Sequence, residues 1–460
     1  MSNFVKPRLP GGFRDSLPEE AIAQQEVVAI IRKVYESFGY LPLETPGMEH
    51  FETLTGGSED FDKSIFRARI VKGIEDRGEI WEDEDTDIAL RFDLTVPLAR
   101  VVSQYQNIVK PFKRYQIGRV WRGEKPQKGR YREFTQFDLD IIGTRSMLAD
   151  TEIILVMYTV MTSLGVKRFC IRFNNRKVLN GLAEVVGCAK QANNFFRILD
   201  KIDRSGIEEV LCELGRKPDN RFDDTALALE KNALEKVSEF LSFRDKPCEE
   251  IFINLQNFFT NQSAIGMEGV EELREVVNNL RAIKIPEESW KVDLSVARGL
   301  AYYTGPVFET VMLDVPHVGS VIGGGRYDNL TTRFSSDANM PGVGTSVGID
   351  RLMDGLRELG LVQKKKTVAH VLVTVFNQDL EHKSLIVARN LRSEGINVEL
   401  YLETGSLREQ LTYAAKQEIP YVVIIGPEED KQGMVVLKNM RTRAQTVLTI
   451  ERCADTIRNG

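Results

Sequence analysis

The chain of 460 residues is 42% hydrophobic and 28% charged with a formal net charge of −6, enough for two or three domains with cores of their own. No apolar run approaches the roughly 18 residues of a membrane-spanning helix, and the opening MSNFVKPRLPGGF lacks the apolar centre of a secretory signal. Its five cysteines form no CxxC pair and only four histidines are present, which argues against a zinc or disulfide framework and for reduced thiols in the cytoplasm.

The first predicted element is a helix. Ser16 and Glu19 stand at capping-box spacing, Pro18 suits the first turn, and Gly39 is placed as a stop. Between them Ile22, Val27, Ile30, Ile31, Val34 and Phe38 recur at helical spacing. GYLPLETPGMEHFE is then extended, because each proline pushes the residue before it out of the helical region. The alternating runs IFRARIV, DIALRFDL, FKRYQIGRVWR and REFTQFDLDIIG predict strands of an antiparallel sheet, with the acidic EDEDTD at 82–87 as a solvated hairpin tip. Asp150 and Gly165 bracket a further helix. From about 176 to 286, amphipathic helical stretches such as NNFFRILDKI and LEKVSEFLSF follow without a strand pattern. Strands return at VDLSV and YTGPVFETVML, then a glycine-rich turn, GSVIGGGRYDN, and a glycine-rich strand running into a helix, GVGTSVGIDRLMDGLRELG. QKKK at 363–366 is a polar linker, beyond which VLVTVF, NVELYL and YVVIIGP alternate with helices. The expected fold class is α+β: an antiparallel-sheet domain over 1–175 and 287–362, a helical insertion over 176–286, and a C-terminal α/β domain over 367–460.

One segment stands against the overall charge. RGEKPQKGRYREF, at 122–134, holds five cations: Arg122, Lys125, Lys128, Arg130 and Arg132. Alternation along the strand that follows sends Arg130, Arg132, Phe134 and Gln136 to one face and Tyr131, Glu133 and Thr135 to the other. An aromatic ring among arginines suits a purine beside phosphates, since phenylalanine stacks and arginine binds phosphate oxygens in pairs. A charged surface hairpin explains the same pattern equally well. Arg298 in ARGLAYYTG, ahead of Tyr302 and Tyr303, and Arg351 in GIDRL, just inside a helix after a run of glycines, tip the balance toward a site. The glycine clusters match neither the P-loop nor the dinucleotide fingerprint, and singly each reads as a tight turn.

Together these stretches resemble the class II aminoacyl-tRNA synthetases and, within them, the histidyl-tRNA synthetases. PLETPGMEHFE is similar to that family's motif 1, FKRYQIGRVWRGEKPQKGRYREFTQFDLD to motif 2, and GVGTSVGIDRL to motif 3. ARGLAYYTGPVFE and GGGRYDNL resemble the two stretches that set the histidine enzymes apart. One departure is plain: where the family carries aspartate after RGL, this chain has Ala301.

The resemblance implies an antiparallel sheet flanked by helices, a homodimer built through motif 1, and a C-terminal domain that reads the anticodon of tRNA(His). It implies ATP with Mg²⁺, L-histidine and tRNA as partners, no membrane, and no protein residue assigned to a metal. By the same carry-over Arg122 and Arg298 are catalytic, gripping the α-phosphate and the histidine carboxylate from opposite sides. Glu124, Arg130, Phe134 and Arg351 join Arg122 in binding ATP. Asp93, Thr95 and Gln136 surround the α-amino group, and Asp140, Tyr302 and Tyr303 close around the imidazole. Against this stands a different class of function. The same fold serves as a non-catalytic regulatory subunit of ATP phosphoribosyltransferase in histidine biosynthesis, a relative that typically lacks the C-terminal domain and parts of the ATP motifs. A generic RNA-binding module explains neither ARGLAYYTG nor GIDRL.

Overall fold

The computed structural model describes residues 4–56, 64–68, 87–126, 131–218, 225–297, 302–334, 339–403 and 405–459. Arg130, Arg298 and Ala301 lie outside the described residues, as do the tip of the motif 2 loop and almost all of the acidic run at 82–87. In chain order the strands up to residue 348 are β1 (Leu41–Pro42), β2 (Met48–His50), β3 (Arg67–Ala68), β4 (Ile88–Leu90), β5 (Phe112–Trp121), β6 (Glu133–Ile142), β7 (Phe169–Asn175), β8 (Trp290–Val292), β9 (Pro306–Met312), β10 (Ser320–Arg326) and β11 (Gly342–Gly348). Eight of them form one sheet in the order β1-β5-β6-β11-β10-β9-β7-β8, antiparallel except where β1 meets β5 and β7 meets β8.

Side-chain parity divides this sheet into two chemically different faces. Strand residues alternate between faces, and one parity of β5, β6 and β11 gives Tyr115, Phe137, Leu139, Ile141, Val343 and Val347, all buried. Helices cover that face. Tyr35 of the helix Pro18–Ser37 packs edge-on against Phe137 with centroids 4.9 Å apart, and the helices Met147–Ser163 and Ile349–Glu358 lie against the same strands. Burying each such large apolar side chain contributes roughly 1.5–3 kcal/mol. The other parity is polar or bare: Arg114, Gln116 and Gly118 on β5, Gln136, Asp138 and Asp140 on β6, Gly344, Ser346 and Gly348 on β11, Gly323 and Gly325 on β10. The runs that build the core thus also floor a polar cleft.

The structure departs from the sequence expectation in several elements. IFRARIV and DIALRFDL do not join the large sheet; their described parts form β3 and β4, which pair with β2 in a separate three-stranded sheet. The helix expected from Asp150 begins at Met147, because the Ser146 side chain accepts the Leu148 N–H and caps it. Asp150 is instead buried in the first turn and paired with Arg326 of β10. VDLSV ends rather than forms a strand: β8 stops at Val292, and Asp293 accepts from the backbone and hydroxyl of Ser295 in a turn. The described residues between 176 and 282 carry six α-helices, from Arg176–Val185 to Ala264–Ala282.

Packing separates the chain into two compact units, Met1–Arg14 with Val27–Val362 and Asp15–Glu26 with Gln363–Gly460. The second unit holds its own sheet, with β12 (Val371–Val373), β13 (Val398–Leu400), β14 (Tyr421–Ile424), β15 (Val435–Asn439) and β16 (Gln445–Leu448) in the order β13-β12-β14-β15-β16. The first three are parallel neighbours, as expected where strands alternate with helices. Val371, Val373 and Val423 pack on one face with residues of the helices Glu381–Ser393 and Ile450–Asn459, while Leu372, Val422 and Ile424 pack on the other with Ala414.

Candidate active site

A cleft opens over the polar face where β6, β10 and β11 lie side by side. Arg122, Glu124, Tyr131, Phe134, Gln136, Ser320, Ser346, Asp350 and Arg351 are among its lining residues. The glycines here make room. A Cβ on Gly344 would sit 2.0 Å from Asp140 Oδ1, so this position admits no side chain.

Two arginines face this cleft from different elements. Arg122 follows β5; its guanidinium carbon lies 5.0 Å from the centre of the Phe134 ring, and its Nε donates to the Phe92 carbonyl at 3.2 Å. Arg351 sits in the first turn of the helix Ile349–Glu358, and its Nη1 donates to the Ser320 carbonyl at 2.8 Å. Between them Asp350 ties the wall together. It accepts the Thr135 N–H at 2.8 Å and pairs with Arg14 at 2.6 Å, while the Arg14 guanidinium lies 4.5 Å over the Tyr131 ring. The alternation expected for 130–136 fails at its start. β6 begins only at Glu133, so Tyr131 turns into the cleft, and Arg132 bonds the carbonyls of Gly11 and Glu124 instead.

The far end of the polar face is dominated by buried carboxylates. Asp93 precedes the helix Thr95–Gln104 and its Oδ1 accepts the Val96 N–H at 3.0 Å. Capping accounts for one oxygen only. Among the described residues Oδ2 has no hydrogen-bond partner, and burial raises the carboxyl pKa although the Val96 N–H and the charge of Arg122 oppose it. Asp140 accepts from the Tyr327 hydroxyl and pairs with Arg114 at 2.7 Å; both of these partners work against the rise in its pKa that burial causes. Arg114 is wholly buried and also donates to the Leu94 carbonyl at 3.0 Å. Tyr302, beside Tyr303 at a centroid distance of 5.1 Å and Tyr327 at 5.9 Å, completes an aromatic wall. Burial holds all three phenols above their ordinary pKa, so they stay neutral donors.

Asp138 lies between Gln136 and Asp140 on the same face. Burial, opposed by Arg114 and reinforced by Asp140, pushes its carboxyl up to about 7. A folded-state pKa above the unfolded value near 4 means that stability from this group is full below about pH 4 and is lost as the pH rises toward 7. Asp138→Asn removes the charge that is costly at high pH. Its melting temperature, compared with that of the unsubstituted chain, is expected to gain between pH 5 and pH 8, corresponding to about 1–4 kcal/mol. Thermal melts across that range, with a difference that stays flat or shrinks, would contradict the assignment.

The structure brings Arg122, Glu124, Phe134, Gln136 and Arg351 around one cleft, and groups Asp93, Asp140, Tyr302 and Tyr303 into one electrostatic cluster. Thr95 joins that cluster through its side chain, which acts against the rise in the Tyr302 pKa. Sequence reasoning missed Arg114, Asp138, Tyr327, Ser346 and Asp350. Parity was the available signal for two of them: Arg114 shares its face with Gln116, while Asp138 shares its face with Gln136 and Asp140. Tyr327 stands in GGGRYDNL, one of the stretches that resemble the histidine enzymes, but the resemblance assigns it no role.

Comparison with known proteins gives the same answer. A family model described as "Histidyl-tRNA synthetase" matches residues 12–352, and one described as "Anticodon binding domain" matches 370–460. The chain is 40% identical over 456 residues to the histidine–tRNA ligase of Wolinella succinogenes, covering 98% of each. It is 40% identical over 446 residues to that of Helicobacter hepaticus, covering 96% of each. Among solved structures, histidyl-tRNA synthetase from Nostoc sp. PCC 7120 superimposes with a TM-score of 0.84 at 30% identity, over 99% of this chain and all of that one. A polar sheet face between two arginines, an aromatic wall and full-length similarity coincide in one chain: it belongs to the histidyl-tRNA synthetase family of class II aminoacyl-tRNA synthetases.

Proposed function

We infer that the chain attaches L-histidine to tRNA(His), using ATP and passing through histidyl-adenylate. Similarity to histidine–tRNA ligases along almost the whole chain carries this reading. The histidine carboxylate attacks the α-phosphorus and pyrophosphate leaves; a terminal ribose hydroxyl of the tRNA then attacks the activated carbonyl and AMP leaves. Negative charge spreads over phosphate oxygens in the first step, so fixed cations are the expected catalysts. In our reading Arg122 and Arg298 hold the α-phosphate and the substrate carboxylate. Arg351 holds the γ-phosphate, Phe134 stacks on adenine, Glu124 contacts ATP, and Arg130 covers the phosphates. Asp93, Thr95 and Gln136 receive the ammonium group, and Asp140, Tyr302 and Tyr303 the imidazole. A site so lined with buried polar groups rejects a substrate that leaves them unpaired.

Mg²⁺ suits this cleft as an ion carried by the triphosphate. Among the described residues no group of three or more His, Cys, Asp or Glu is placed to hold a metal, and Mg²⁺ is usually held by one or two carboxylates with substrate phosphates. Glu124 would supply the protein oxygen, and the ion would neutralise charge on the phosphates. We also propose a cytoplasmic homodimer joined through the motif 1 segment. In it the catalytic domain spans 1–175 and 287–362, the helical insertion at 176–286 lies near the acceptor stem, and 367–460 read the anticodon. No described helix is long and apolar enough to cross a membrane. The regulatory-subunit alternative is not favoured, since the anticodon-binding region is present and Arg122 and Arg351 line the cleft. Transfer of labelled histidine to tRNA tests the whole proposal: labelled tRNA is expected only with ATP, and no transfer by folded protein would contradict it.

A further inference from the structure

Gln136 reaches the cleft with its amide held by a hydrogen bond that strand pairing does not require. Its Nε2 donates to Ser346 Oγ at 2.6 Å. Register places the three together: Asp138 lies opposite Ser346, and Gln136 lies opposite Gly348. A hydroxyl has a single proton to give. Asp138 lies across the strand pair from the serine and is favoured in its charged form by it, so the proton is drawn toward the carboxylate; Oγ then offers Gln136 lone pairs, and the amide presents Nε2 to the serine and turns Oε1 away. Gln136 is 9% exposed, and its Oε1 is buried with no hydrogen-bond partner among the described residues, as is Oδ2 of Asp93. Buried acceptors left open in this way await a donor.

We propose that Asp138 and Ser346 are positioning residues that hold Gln136 as a hydrogen-bond acceptor for the α-ammonium group of the amino-acid substrate. The inference rests on the reading of this face as the histidine site. Without the serine hydroxyl the amide is free to rotate and to aim its own N–H groups at the ammonium, where they repel. The loss falls on ligands that carry an ammonium group and spares those that do not.

Two competitive inhibitors of histidine-dependent ATP–pyrophosphate exchange separate these cases: histidinol, which has the ammonium but no carboxylate, and imidazolepropionate, which has the carboxylate but no ammonium. Ser346→Ala is expected to raise the inhibition constant of histidinol roughly 10-fold or more, the size of a hydrogen bond to a charged group. The constant for imidazolepropionate and the KM for ATP are expected to stay within about twofold. Asp138→Asn is expected to move the histidinol constant in the same direction. An equal rise for both inhibitors would make the serine merely structural and overturn the proposal. Gln136→Ala keeps the underlying reading testable on its own. If it weakens histidinol alone and Ser346→Ala does not, the relay fails and the site stands; if it weakens neither, the assignment of Gln136 to the ammonium fails.

Discussion

Replacing Arg122 with alanine is expected to lower histidine-dependent ATP–pyrophosphate exchange by roughly 10²–10³-fold while leaving the protein folded. The guanidinium is a fixed charge placed at the cleft: packing over Phe134 and a bond to the Phe92 carbonyl hold it before any ligand arrives. A charge already oriented costs no reorganisation when negative charge develops on the α-phosphate, which is why its loss appears in the rate. Lysine is a poor substitute, because a single ammonium does not reproduce the paired donors of the fork or its stacking on an aromatic ring. Arg122→Lys is therefore expected to recover only part of the activity. The same argument makes Arg298→Ala at least as damaging if that residue grips the other side of the phosphate. Exchange by a folded Arg122→Ala protein within a few-fold of the unsubstituted enzyme would remove Arg122 from the reaction.

A second large effect is expected from Arg114→Leu, and it falls on stability. Arg114 has no exposed surface, pairs with Asp140 at 2.7 Å and lowers the pKa of Asp138 and Asp140 against the effect of burial. Deleting one partner of a buried ion pair leaves a charge with neither water nor counterion, at a cost of about 3–5 kcal/mol. The chain should melt several degrees lower at pH 8. The deficit should shrink toward pH 5, where the carboxyls, already raised in pKa, take up protons. Adding Asp138→Asn to Arg114→Leu should restore part of the loss, because it removes one of the stranded charges. A single variant that melts with the unsubstituted chain at pH 8 would mean that Asp140 is not ionised in the folded protein.

Much of this was legible in the residues. Alternation in FKRYQIGRVW and EFTQFDLDII reports two ten-residue strands, and the switch from GVGTSVG to IDRLMDGLRE marks where strand becomes helix. Motif resemblance named the arginines and tyrosines. Less visible were residues whose role depends on a neighbour far along the chain. Asp150 reads locally as a helix start, and only the fold reveals Arg326 as its partner across 176 positions. Arg114 sits in a basic strand and looks solvated until β6 lays Asp140 opposite it. IFRARIV has a strand pattern but no sequence mark telling which sheet it joins. Tyr131 escaped because alternation holds only inside a strand, and β6 starts two residues later.

ATP–pyrophosphate exchange without tRNA, run with each amino acid in turn, shows whether this cleft activates histidine at the α-phosphate of ATP. Exchange is expected to depend on histidine, to require Mg²⁺ and to find no support from the other amino acids. Exchange no faster with histidine than without it, in protein shown to be folded, would return the chain to the class of synthetase-like proteins without catalysis.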